Sequence, residues 1–366
     1  MNPNQASNFN FTKPAFFRFL LITCLTLCCT LSAPLAQRKP KRISNSVTVT
    51  RIAYKGWKDV LLLSNGKVEA VIVPSIGRMM QFRFGGEEGV FWENSEVAGQ
   101  PVNPASKDWI NFGGDKAWPS PQSEWPKITP RAWPPPIEFD ASEWTTKILH
   151  CTEGKTLRMC SSDASQLKKP LIMSLRLESS VDIHYGIRVQ RDFFLDPKKQ
   201  ELTAHTTFKK VSGDPVKVGV WVITQMNEGE MIFVPVPKKS QYQDGYNKQS
   251  KELPEYFKVE NGLVALKRDA KKSTKIGNDV GSLLWVGQKH VLKIDSPREA
   301  NAEYPDNGSS AEVYTNLDPL KYVELEMLGP LKELKVGDWV SRTNMYTLLR
   351  RTEKTPEAEA RKILSR

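Results

Sequence analysis

The sequence predicts a large antiparallel β-sandwich carrying one long irregular insertion and a short C-terminal helix. Short apolar or alternating runs follow one another along most of the chain, turn residues separate them, and helical periodicity is almost absent. Hydrophobic residues make up 39% and charged residues 25% of 366, a globular balance that excludes wholesale disorder. A sandwich of this length commonly forms one domain, and residues 37–366 are expected to do so.

The first strands flank Asn65-Gly66, the strongest short hairpin signal, with Val60 to Leu63 before it and Lys67 to Val73 after it. Met79 to Phe84 follows and is closed by Gly85-Gly86. Thr145 to Cys151 and Lys155 to Ser161 read as a hairpin turning at Glu153-Gly154. Leu171 to Glu178, Ile183 to Leu195, Glu201 to Val211 and Val216 to Thr224 continue the pattern; Ile183, Tyr185, Ile187 and Val189 are expected to share one face. Tyr256 to Glu260 and Leu263 to Lys267 surround Asn261-Gly262, and Ser282 to Val286, His290 to Ile294, Glu312 to Thr315, Tyr322 to Met327 and Trp339 to Leu348 complete the strands. The one helix begins after Thr355, a capping residue, with Pro356 in its first turn and Glu357 and Glu359 complementing the dipole.

The N-terminus has a different character. Lys13 and Arg18 are the only charges in the first 36 residues; the apolar run Phe19 to Leu31 follows them, and then the small residues Ser32, Ala33 and Ala36. This is the pattern of a secretory signal peptide, and periplasmic or secreted localisation is expected. The run is short for a permanent span, so no stable membrane insertion is expected after cleavage. Without residues 1–36 the net charge falls from +11 to about +9. Such a surface suits polyanions, but the basic residues are scattered and no nucleic-acid-binding signature appears, which speaks against nucleic acid. Cys151 and Cys160 are the cysteines beyond that segment. A two-residue turn at Glu153-Gly154 pairs Cys151 with Thr156 and Cys160 with Lys147, so no disulfide is expected. Neither a Cys-x-x-Cys nor a His-x-x-x-His pair exists, and no metal or cofactor is implied.

From Glu93 to Ser142 the strand rhythm stops. The segment holds Trp109, Trp118, Trp125, Trp133 and nine prolines, a composition unlike a disordered linker. Its centre, Asn111 to Pro126, combines Gly113-Gly114 with Asp115, Lys116, Gln122 and Glu124 beside Trp118 and Trp125. Flat indoles ringed by carboxylate, amide and ammonium groups suit the C–H faces and hydroxyls of a sugar. The same residues also suit a plug that closes the open end of a sandwich. Paired carboxylates are available among Asp115, Glu124, Asp140, Glu312, Glu324 and Glu326, but spacing selects no pair. Glu324 and Glu326 share one face of a strand, where a solvated surface ladder is expected. His150, His184, His205 and His290 fall in or beside strands, where a lone histidine is more often structural than catalytic.

Four segments carry a resemblance. N-G-K-V-E-A-V-I-V-P-S-I-G-R-M-M-Q-F-R-F-G-G from Asn65, F-W-E-N from Phe91, N-F-G-G-D-K-A-W-P from Asn111 and Y-V-E-L-E-M-L-G-P from Tyr322 resemble a family of exported bacterial proteins of unknown function. That family looks like a branch of the galactose-mutarotase-like (aldose 1-epimerase-like) superfamily, whose β-supersandwiches act on or bind carbohydrate. Aldose 1-epimerases use a glutamate base and two histidines; the resemblance implies the glutamate at Glu312, while the two histidines are replaced by Phe112 and by Thr224 and Gln225. Asp115 then stands as a substitute acid. A cleft is expected from Arg78, Asn111, Lys116, Trp118, Gln122, Trp125, Trp133 and Gln225. The leading expectation is an exported carbohydrate-binding or carbohydrate-active protein, epimerase-like in its chemistry. A non-catalytic envelope protein that binds polyanions or protein partners is the alternative, and a glycoside hydrolase or polysaccharide lyase the third.

Overall fold

The computed structural model describes residues 46–103, 108–152, 160–166 and 171–364; the expected signal peptide lies outside them. Two eleven-stranded antiparallel sheets form the fold. The first runs Thr48–Tyr54, Trp57–Ser64, Val68–Val73, Arg78–Phe84, Asp115–Ser120, Val216–Asn227, Tyr322–Leu328, Ala311–Thr315, Thr274–Asn278 and Asn247–Lys248, with Lys332–Leu334 pairing the start of Val216–Asn227. The second runs Phe257–Glu260, Leu263–Leu266, Met231–Pro235, Ser282–Val286, His290–Asp295, Trp339–Arg350, Glu201–Lys210, Ile187–Leu195, Leu171–Asp182, Thr145–Thr152 and Cys160–Ser161. Their facing sides bury Leu63, Val68, Phe82, Phe193, Phe208, Leu325 and Leu348 in one core.

The two Asn-Gly signals make hairpins, each by its own chemistry. Asn261 and Gly262 both take positive φ, as a tight two-residue turn requires. Asn65 is buried at the other turn, where its amide donates to the carbonyls of Asp196 and Lys199 and ties the first sheet to the second. The helix Pro356–Leu364 is capped by Thr355, whose hydroxyl accepts from the Ala358 amide, and Ala360 and Ile363 pack against Met231 and Phe233. No described helix is long and apolar enough to cross a membrane.

Three expectations are corrected. Cys151 and Cys160 form a disulfide, with Cα atoms 4.0 Å apart. Cys151 pairs directly with Cys160, and His150 with Ser161, so the connection is longer than a two-residue turn. Glu153-Gly154 and most of the expected Lys155 to Ser161 strand lie outside the described residues. Ile183 does not share the buried face of Tyr185, Ile187 and Val189: a turn precedes Ile187–Leu195 and leaves Ile183 87% exposed. The Trp- and Pro-rich segment also contains a central strand, Asp115–Ser120. It pairs along its whole length with Val216–Asn227, but with Arg78–Phe84 only at Asp115. Pro119 is tolerated because the missing N–H faces a side where no ladder continues.

Candidate functional site

Strand pairing builds the site. In Val216–Asn227, Trp221, Ile223 and Gln225 point to one face of the first sheet. Register places Trp118 beside Trp221, Lys116 beside Ile223, Glu326 beside Ile223 and Glu324 beside Gln225. The next pairings bring Glu312 opposite Glu326 and Tyr314 opposite both Glu324 and Lys275. These side chains therefore share the face turned away from the second sheet.

At its centre one lysine joins two carboxylates. Lys275 Nζ lies 2.7 Å from Glu312 Oε2, 3.0 Å from Glu326 Oε2 and 4.7 Å from the centre of the Trp221 ring. Trp221 Nε1 donates to Glu326 Oε2 at 2.7 Å, and Gln249 Nε2 donates to Glu312 Oε1 at 2.5 Å. Glu312 is 1% exposed and Glu326 0%, whereas the Lys275 side chain, 23% exposed, roofs them both. Burial, assisted by the charges of Glu312 and Glu324, pushes the Glu326 carboxyl up to about 8 despite the lysine. Burial opposes the charge on Lys275, but Glu312 and Glu326 outweigh it and hold the ammonium above its ordinary range. Asp306 stands nearby in a turn whose residues 306–308 all have positive φ, and burial together with Glu312 raises its carboxyl to about 6.

A second charged group borders the first. The Lys116 side chain is fully buried, 3.5 Å from Glu324 and 4.9 Å from the centre of the Trp118 ring. Burial pushes its ammonium down, and Arg78 adds to the effect. Arg78 is occupied: it bonds Asp140 Oδ1 at 2.6 Å, the Asp140 carbonyl and the Gly113 carbonyl. Asp140 also accepts from the indoles of Trp109 and Trp118, each at 2.9 Å. Arg78 thus holds the Trp-rich segment on the sheet instead of reaching into open space.

The expected site residues separate into groups. Glu312, Lys116 and Gln225 share the face, and the buried amide of Gln225 has no hydrogen-bond partner among the described residues. Asn111 is buried with its Oδ1 on the Gly113 amide. Trp118 and Trp125 are buried, 4% and 0% exposed, whereas Trp133, stacked on Trp125, is 45% exposed. Gln122 is exposed at the start of a short turn, Gln122–Glu124, outside this cluster. Asp115 lies on the opposite face, one residue out of phase with Lys116. It is wholly buried between the sheets, ion-paired with Arg191, and accepts from Thr224 Oγ1 and Tyr346 OH at 2.7 and 2.6 Å. Glu312 and Asp115 are therefore not brought together. Glu326 is no surface ladder either, being buried beneath Lys275.

Sequence reasoning missed Lys275, Gln249 and Asp306. Thr274–Asn278 is a five-residue strand whose Gly277 and Asn278 read as turn residues, so nothing marked Lys275 as facing Glu312. An open cleft of about 1060 Å³ lies elsewhere, beside Trp57 and Trp144, but Arg51 and Asp59 on its wall are solvated and paired with each other. Among the described residues, no group of three or more His, Cys, Asp and Glu side chains is placed to hold a metal ion.

No curated protein matches the chain significantly. The fold is similar to a TPR-domain-containing protein from Parabacteroides distasonis, with 12% identity and a TM-score of 0.52 over 86% of this chain. This chain spans only 55% of that one, about half its length. It is also similar to a putative mutarotase from Salmonella typhimurium, with 10% identity and a TM-score of 0.50 over 85% of this chain and 96% of the other. The architecture is thus galactose-mutarotase-like. A family model described as a domain of unknown function, DUF4380, matches residues 59–349, and the chain belongs to that family.

Proposed function

We propose that this is an exported protein that binds a neutral sugar over the Glu312–Lys275–Glu326 cluster and interconverts its anomers there. The observation that carries the reading is the pair of buried carboxylates on adjacent strands under one lysine, beside the Trp221 indole. The environment gives Glu326 a proton at neutral pH, while Glu312 accepts from Gln249 and is ion-paired with Lys275. In the forward step Glu312 takes the proton of the anomeric hydroxyl and the bond from C1 to the ring oxygen breaks. Glu326 gives its proton to that oxygen, and the aldehyde forms. Rotation about C1–C2 and the reverse transfers close the other anomer, so protons balance over the cycle. Lys275 must swing off Trp221 to admit the sugar.

Neither family histidine has a counterpart. Phe112 is buried against Trp57 and Arg78, Thr224 points to Asp115 between the sheets, and Gln225, on the site face, carries an amide that cannot serve as an acid. Glu326, not Asp115, is the acid this geometry favours. With Glu326 protonated, Glu312, Glu324 and Asp306 are set against Lys116 and Lys275, so the patch is slightly acidic, which disfavours acidic glycans despite the basic chain. Export is supported by the N-terminal pattern and by the Cys151–Cys160 disulfide. Exchange NMR between the anomers of a neutral aldose panel tests the reading. Wild-type chain is expected to accelerate exchange, and Glu312→Gln to lose about 100-fold. No acceleration for any aldose overturns the epimerase chemistry.

A further inference from the structure

We propose that the cleft at Glu93 is a second binding site for a neutral sugar unit, so that the ligand is an oligosaccharide lying along this face of the sheet. The inference rests on the saccharide reading above and adds a site to it. The cleft encloses about 440 Å³ and is walled by Tyr54, Lys55, Gln81, Arg83, Glu93 and Asn227, a volume within the range of small-ligand pockets.

Glu93 is its organising group. Its side chain is 6% exposed, and its Oε2 gathers three donors: Tyr54 OH at 2.9 Å, Lys55 Nζ at 2.7 Å and Gln81 Nε2 at 2.8 Å. Its Oε1 is buried and meets no donor among the described residues. A buried charged acceptor left unmet is costly, and a ligand hydroxyl supplies what is missing. The surroundings select the ligand. Lys55 and Arg83 lie over the Tyr54 ring, 5.5 and 5.9 Å from its centre, and oppose an amine. Glu88 in the lining opposes a carboxylate, while Glu87 is paired with Arg350 and His290. A hydroxyl, which donates to Glu93 and accepts from Lys55, satisfies both.

The two sites lie on one surface. Asn227 in the cleft pairs with Tyr322 across the strands. Trp92, next to Glu93, packs on Tyr322 with ring centres 4.8 Å apart. Tyr322, Glu324 and Glu326 then follow on the same face, and four residues of strand carry the surface about 13 Å from the cleft's edge to the carboxylates. The unpartnered amide of Gln225, opposite Glu324, lies buried beneath that stretch.

Calorimetric titration with malto-, cello- and chito-oligosaccharides of one to six units tests the proposal on wild-type chain, Glu93→Gln and Asn227→Ala, each checked for an unchanged melting profile. For at least one series, affinity is expected to rise about tenfold or more from the single sugar to the trisaccharide. Glu93→Gln or Asn227→Ala should erase the rise and leave single-sugar affinity unchanged. Equal affinity at every length, or a rise that both variants retain, overturns the second site while leaving the first intact. Absence of binding by any saccharide, single or chained, overturns both.

Discussion

Glu326 shows how a residue's position changes its chemistry. On an isolated strand it is one of two like charges; in the fold it lies under Lys275, against Trp221 and opposite Glu312. A carboxyl whose value rises in the native state from 4.5 to about 8 favours the protonated native form. Its contribution to stability is complete below about pH 4.5 and is lost as pH rises through about 8. Urea unfolding at pH 5 and pH 8 should therefore show the wild-type chain losing more stability than Glu326→Gln over that interval. Equal losses would mean that Glu326 ionises as an ordinary carboxylate. Trp118 and Trp133 make the same point in apolar terms. Both are equally good platforms in the sequence, yet one donates to Asp140 in the interior and the other stays 45% exposed.

At the scale of elements, period-2 alternation decides which neighbour serves the site. Lys116 and Asp115 are adjacent in Asp115–Ser120 and point to opposite faces, one toward Glu324 and one toward Arg191. Breaking the inner pair leaves a buried guanidinium without its counter-ion. Asp115→Asn is expected to cost about 3–5 kcal/mol in chemical denaturation, and a loss below about 1 kcal/mol would count against a structural role for the pair. The hairpin at Cys151 makes a separate prediction. Its bridge closes a sequence separation of nine, and loop-closure entropy for a loop of that size amounts to about 3 kcal/mol. Cys160→Ser should lower stability by up to that amount, and an unchanged denaturation midpoint would contradict it. The hairpins at Asn65-Gly66 and Asn261-Gly262 and the helix after Thr355 were legible because turn and cap chemistry is local. Asp115–Ser120 and Thr274–Asn278 were not, because prolines, glycine and asparagine mask strands whose partners lie far away in sequence.

For the whole molecule, the two-sheet architecture was legible because alternation and turns repeat along the chain, and it is the architecture observed. The site was legible only in part. Glu312 and Gln225 came from resemblance, and Lys116 from the motif around it. Lys275, Gln249 and Asp306 came from neither, since only sheet register brings residues 249, 275, 312 and 326 together. The proposed function requires that this assembly hold a sugar. Its most direct test is isothermal titration of a panel of neutral saccharides into wild-type chain and Glu312→Gln. Saturable binding by the wild type, weakened at least about tenfold in the variant, is the predicted result for loss of a charged hydrogen-bond acceptor. Binding that ignores the substitution, or no binding by any saccharide, would contradict the account.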